Sequence, residues 1–182
     1  MTYPCATRAE LLAASADPHS PDTVLFATLL AAHDELSLLG LSEAQLELLY
    51  RRHFGAMSAR RSGVLIQSEE QVVFVKALSA FLLSHIAKSA DMADAEWLAL
   101  IISHACLRPD HLWRDLGLNG RDEVTDVLNR YFPALVTRNV DGTRWKKFLA
   151  RELALSLGMA PQPAPGCPGC DDFAYCFGGK KA

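Results

Sequence analysis

The sequence has no long apolar run, no excess of positive charge and no stretch that alternates as strands do. Its longest apolar run, Val24 to Ala32 with Thr28 inside, falls far short of the roughly 20 residues of a membrane-spanning helix. The first residues lack the basic start and apolar stretch of a secretory leader. With 18 Lys and Arg against 21 Asp and Glu, the net charge is −3, which argues against a general nucleic-acid binder, because phosphate neutralisation needs a concentrated basic surface. Five cysteines, an odd number with three crowded within ten positions at one end, do not resemble a secreted disulfide framework. These absences predict a soluble, cytoplasmic protein with no membrane and no nucleic-acid partner.

What is present is helical. At 182 residues and 50% apolar composition the chain is long enough for one ordinary domain with a sizeable core. Thr7 with Glu10, Ser42 with Gln45 and Ser68 with Gln71 each have the spacing of a capping box, in which side chain and backbone satisfy each other's hydrogen bonds at a helix start. Ser20-Pro21 starts a helix carrying Val24, Leu25, Leu29, Leu36 and Leu39, ended by Gly40. The helix after Ser68 is the most periodic, with Val72, Val75, Leu78, Leu82, Leu83 and Ile86, and is expected to reach about Lys88. Between these lies a loop, Met57 to Gln67, with Arg60 and Arg61.

Asp91 or Asp94 caps the next helix, which carries Trp97, Leu98, Ile101 and Ile102 up to Cys106, where Pro109 turns its predecessor away from helix. A short turn holds His111 to Trp113, a helix runs from Arg121 to Tyr131 and ends near Phe132-Pro133, and Trp145, Phe148, Leu149, Leu153 and Leu157 form one stripe on a last helix closed by Gly158. From Met159 onward Pro161, Pro163, Pro165 and Pro168 predict an irregular segment. The expected fold is all-α: a single compact multi-helix domain, 1–158, followed by an irregular Cys/Pro/Gly-rich metal-binding tail, 159–182.

Cys167-Pro-Gly-Cys170 is a tight turn able to aim both sulfurs one way, and Cys176 returns after one further loop. Thiolates are soft ligands for iron in iron–sulfur clusters or for zinc. Three of them do not complete the four protein ligands that either structural zinc or an ordinary four-iron cluster prefers. Either another residue joins, with Cys106, His104 and His111 as candidates, or one metal position is left for something else. A structural zinc clip, an incidental cysteine-rich end and a thioredoxin-like Cys-x-x-Cys are the competing readings; the last lacks the preceding strand of a βαβ unit. Cys106 has its own bland reading as a small buried apolar residue. Arg108, Arg138, Lys146 and Lys147 are the cations best placed in sequence to meet a bound oxyanion or anionic cluster. No nucleophile–base pair stands out, so the chain is not expected to be an enzyme.

The run Ala105-Cys106-Leu107-Arg108-Pro109-Asp110-His111-Leu112-Trp113-Arg114-Asp115-Leu116-Gly117-Leu118 forms an ordered set with Arg121-Asp122-Glu123, Tyr131-Phe132-Pro133, Arg138-Asn139, Trp145-Lys146-Lys147-Phe148 and the terminal cysteines. Together they resemble the NifQ family of nitrogen-fixation proteins, from about Trp97 onward. The resemblance implies a molybdenum carrier that binds a molybdenum–iron–sulfur cluster and donates molybdenum to assembly of the nitrogenase iron–molybdenum cofactor. It implies as partners the nitrogenase iron protein, the cofactor-assembly scaffold complex and molybdate. The family motif is Cys-x4-Cys-x2-Cys-x5-Cys; its last three cysteines match Cys167, Cys170 and Cys176, and its first falls on Gln162. Three thiolates holding three irons would leave a fourth corner where molybdenum enters and leaves, with Cys106, His104 and His111 as further contributors on the molybdenum side. The alternative is a structural zinc or iron–sulfur module that serves as a protein-interaction factor without molybdenum transfer.

Overall fold

The three capping boxes form as their spacing requires: Thr7, Ser42 and Ser68 each accept from the backbone amide three residues on, and Glu10, Gln45 and Gln71 reach back. They open α1 (Arg8–Ala13), α3 (Glu43–His53) and α4 (Glu69–Leu83). Pro21 stands at the first position of α2 (Pro21–Ala31), and Asp91 caps α5 (Met92–Ala105) through the amides of Ala93 and Asp94. The chain continues through α6 (Leu112–Asp115), α7 (Arg121–Tyr131), α8 (Pro133–Arg138), α9 (Trp145–Ser156) and α10 (Phe173–Phe177). This computed structural model describes residues 6–55, 57–58 and 63–178, and no strand occurs among the described residues. Arg60 and Arg61 lie outside them. None of the described helices is long and apolar enough to cross a membrane.

The middle of the molecule is α5. Ala95, Leu98, Ala99, Ile102 and Ala105 are wholly buried on it, and it packs against α3, α4, α6 and a 3-10 turn at Leu36–Leu39. Its capped end holds a buried carboxylate, Asp94, which accepts from His53 Nε2 at 3.0 Å and pairs with Arg52 at 3.0 Å. Its other end, Cys106 to Pro109, is where the site is built.

Four expectations shift. The second helix stops at Ala31 and does not run on to Gly40, because His33 turns its Nδ1 onto the Leu29 carbonyl at 2.8 Å and the chain restarts as the 3-10 turn. The helix α4 ends at Leu83, short of Lys88; Ser84 bonds back to the Phe81 carbonyl and the Ala87 amide is taken by Tyr131. Pro133 begins a helix as well as ending one. The proline-rich tail is not irregular throughout: it contains a 3-10 turn at Cys167–Gly169 and the short α10.

Gly40 closes the 3-10 turn at φ +70°, and a Cβ there would lie 2.1 Å from the His104 ring. Left-handed backbone costs a residue with a Cβ about 1–2 kcal/mol, and overpacking adds to it. Gly40→Ala should therefore lower the urea midpoint by the equivalent of about 2 kcal/mol or more with an unchanged slope.

Candidate metal centre

The site rests on a buried ionic knot. Lys146, in the first turn of α9, donates from Nζ to the Arg108 carbonyl at 2.8 Å and forms an ion pair with Asp115 at the end of α6. Arg108, just past α5, donates from Nη1 to the Leu38 carbonyl at 2.8 Å and from Nε to Asp115 at 3.4 Å. Side-chain exposures of 7% for Lys146 and 11% for Asp115 put this pair out of water. A buried carboxylate needs such partners, since an unpaired one would be strongly disfavoured.

The tail docks on the far side of the same turn. The Gly166 amide donates to the Cys106 carbonyl at 2.9 Å, and Ala164 is wholly buried. Gly166 lies so close to Arg108 that a Cβ would fall 1.9 Å from its carbonyl oxygen; one on Gly169 would fall 2.7 Å from Pro109. Two glycines therefore let the cysteine turn lie flat against the Cys106–Pro109 turn. The glycines of the Pro/Gly-rich tail thus permit close backbone approach.

Docking brings Cys167, Cys170 and Cys176 to the walls of one cavity of about 60 Å³, together with His111, Lys146 and Lys147. Cys167 is buried, and its thiol is pushed above the ordinary range, first by burial; the Lys146 charge pulls it back down, and Cys170 and Cys176 raise it. Opposite-sign charge is supplied from the rim. Lys147 donates to the Cys176 carbonyl and lies over the Phe177 ring, 5.0 Å from its centroid. His111 stacks nearly parallel to Trp113 and bonds Asp172 Oδ2 at 3.1 Å, a carboxylate also held by Arg144 at 2.7 Å.

The remaining expected residues are not on this cavity. Cys106 lies behind it, with no exposed surface; burial pushes its thiol up to about 12, against the pull of Lys146. His104 faces the other way, with Nδ1 on the Leu100 carbonyl at 2.8 Å and its ring against Gly40; burial lowers its pKa. Arg108 is spent in the ionic knot, and Arg138 pairs with the buried Glu152 of α9; neither lines the cavity. Gln162 is exposed and lines a separate apolar groove with Val73, Phe74, Leu157 and Met159. Among the described residues no group of three His, Cys, Asp or Glu stands arranged to hold a single metal ion as it is.

Sequence reasoning misses Arg121 and Arg144, which line the cavity from the starts of α7 and α9. Arg121 lies far from the cysteines in the chain, and its place is set by a contact no spacing foretells: Nη2 donates to the Gly142 and Thr143 carbonyls at 2.6 and 2.8 Å. Arg144 carries one signal, as it adjoins the Trp145-Lys146-Lys147 run.

The unequal burial of the thiols sets their reactivity. Alkylation mapped by peptide mass spectrometry on the metal-free protein at pH 8 should label Cys170 and Cys176 first, Cys167 slowly and Cys106 only after denaturation; Gly166→Ala should bring Cys167 up to the rate of Cys170. The Cys106 thiol, whose folded value lies above its unfolded one, stabilises the fold below about pH 9, and that contribution falls by roughly 1.4 kcal/mol per pH unit above it. Denaturation of the metal-free protein between pH 8 and 11 should therefore be less steep with pH in Cys106→Ala than in wild type.

The family model described as NifQ matches residues 22–178. The chain is 33% identical over 154 residues to Protein NifQ of Azotobacter vinelandii, covering 78% of each. It is 36% identical over 140 residues to the Protein NifQ homolog of Sinorhizobium fredii, covering 76% of this chain but only 60% of that relative. Protein NifQ of Klebsiella pneumoniae is 39% identical over 85 residues, 46% of this chain and 51% of its own length. No solved structure matches. A family match over most of the chain, with relatives above 30% identity, shows that it belongs to the NifQ family of nitrogen-fixation proteins.

Proposed function

We propose that this protein carries a molybdenum–iron–sulfur cluster on Cys167, Cys170 and Cys176 and donates molybdenum for biosynthesis of the nitrogenase iron–molybdenum cofactor. It acts by holding and releasing its cargo and not by catalysis. The observation that carries the reading is that the three thiols line one cavity walled by cations. Thiols that share a cavity but are not gathered around a single point suit a cluster, in which each thiolate binds a different iron, better than one zinc ion, whose ligands crowd to about 3.8 Å from one another at ordinary Zn–S lengths. Lys146, Lys147 and Arg144 lower the cost of assembling three thiolates around an anionic cargo.

With three cysteines, one corner of the cargo carries no thiolate from the tail, and His111 is the side chain on the cavity wall nearest in kind to a replaceable ligand. Cys106 is then a packing residue behind Cys167, and His104 takes no part. The partners are the nitrogenase iron protein and the cofactor-assembly scaffold complex, with molybdate as the source of metal.

Anaerobic reconstitution with iron and sulfide, followed by molybdate, tests this by metal analysis and electron paramagnetic resonance. Wild type should bind iron and molybdenum, and alanine at Cys167, Cys170 or Cys176 should lose most of both, whereas Gln162→Cys should change neither. Iron and molybdenum retained in all three alanine variants would remove the tail as the site, and stoichiometric zinc in place of iron would favour the structural module.

A further inference from the structure

Outside the thiol cavity lies a second one, of about 360 Å³, that shares Arg121, Arg144, Lys147 and Cys176 with it as walls. The two are neighbouring chambers, and Cys176 is a wall of both. The outer chamber is basic: three cations line it against a single carboxylate, Asp141. Among the described residues, two of those cations meet no carboxylate. Arg121 bonds only the Gly142 and Thr143 carbonyls, and Lys147 only the Cys176 carbonyl and the Phe177 ring. Arg144 shares Asp172 with His111, and its Nε is buried with no partner.

The chamber is also held rigidly. Asn139 accepts from the Thr143 amide at 2.9 Å and donates to the Thr143 carbonyl at 2.8 Å, closing the loop that Arg121 clips from outside. That loop delivers Arg144 to the start of α9, whose first turn has neither a side-chain cap nor an acidic residue. Guanidinium and ammonium groups that outnumber the carboxylates around them, on a hydrogen-bonded frame, are what a small multivalent oxyanion requires, since its oxygens accept several charge-assisted hydrogen bonds at once.

Resting on the cluster-carrier reading, we propose that this outer chamber is an entry site for a tetrahedral dianion of the molybdate class, held by Arg121, Lys147 and Arg144 next to Cys176. Selection is divided between the chambers. The outer one recognises charge and shape, so sulfate and tungstate compete there; the thiols behind it distinguish a metal oxyanion from sulfate, because only the metal takes sulfur ligands. The proposal concerns binding alone and includes no change of oxidation state. Anion capture by exposed cations is screened by salt, so occupancy should fall as ionic strength rises.

The test separates this site from the cluster by removing the thiols. The full-length, metal-free triple variant Cys167→Ser/Cys170→Ser/Cys176→Ser is dialysed to equilibrium against molybdate in low salt, and bound molybdenum is measured. It should still bind one molybdate, displaced by sulfate. In the same background Arg121→Gln and Lys147→Gln should each weaken binding about tenfold or more, and Arg121→Lys should restore most of it. Thermal melts confirm that each variant is folded, and Lys147→Gln serves where Arg121→Gln loosens the loop. No molybdate binding by the thiol-free protein, or binding indifferent to both Arg121→Gln and Lys147→Gln, would overturn the proposal. Failure of the carrier reading looks different: wild type then takes up no iron on reconstitution, whatever its affinity for molybdate.

Discussion

The buried contact of Lys146 with Asp115 and the Arg108 carbonyl holds together everything near the thiols. It ties the start of α9 to the end of α6 and to the turn after α5, two neighbouring segments that precede α9 by 31 and 38 residues at the contacts. Such a pair adds little net stability, because desolvating both charges offsets most of their attraction. Its effect is on position. Once Lys146 is fixed, Arg144 and Lys147 near it on α9 are fixed too, and the Arg108 backbone becomes the flat surface on which Gly166 can lie. The charge that organises the packing also acts on Cys167, whose thiolate it favours against burial.

Much of the helical body is legible in the sequence because its signals are local. Capping boxes at Thr7, Ser42 and Ser68 and the apolar stripe of α9 each depend on residues within a turn or two. The features that are not legible depend on distant partners. Nothing near His33 announces that its ring will end α2, since its second nitrogen is held by the Asp115 carbonyl far along the chain. Pro133 reads as a stop and is also the start of α8, because a proline interrupts a helix that precedes it and suits the first turn of one that begins with it. For the site, cysteine spacing places Cys167, Cys170 and Cys176, and proximity in sequence to a helix end suggests Cys106, His104 and His111 together. The helix separates them: His104 and Cys106 stand two residues apart on α5 and its cap, so they face different ways, and only His111, beyond the turn, reaches the cavity.

The glutamine at the place of the family motif's first cysteine has a physical setting. Gln162 lies over the groove between α4 and α9, on the other side of the buried Ala164 anchor from the thiols. A side chain there faces a different cavity from the one the thiols share. The chain therefore departs from the four-cysteine pattern at the one position that the docked tail directs elsewhere, and a three-thiolate site is compatible with the fold as it stands.

The docking of the tail onto a finished surface also sets an order of events. The Cys106–Pro109 turn takes its shape from α5, α6 and α9, so the seat for Gly166 does not exist until those helices have packed, and the three cysteines come after all of them in the chain. During synthesis the body has emerged before the thiols do. Any ligand of the three thiols thus meets a body that is already folded. A site built in this order differs from small metal-nucleated domains, whose folding is itself the binding reaction.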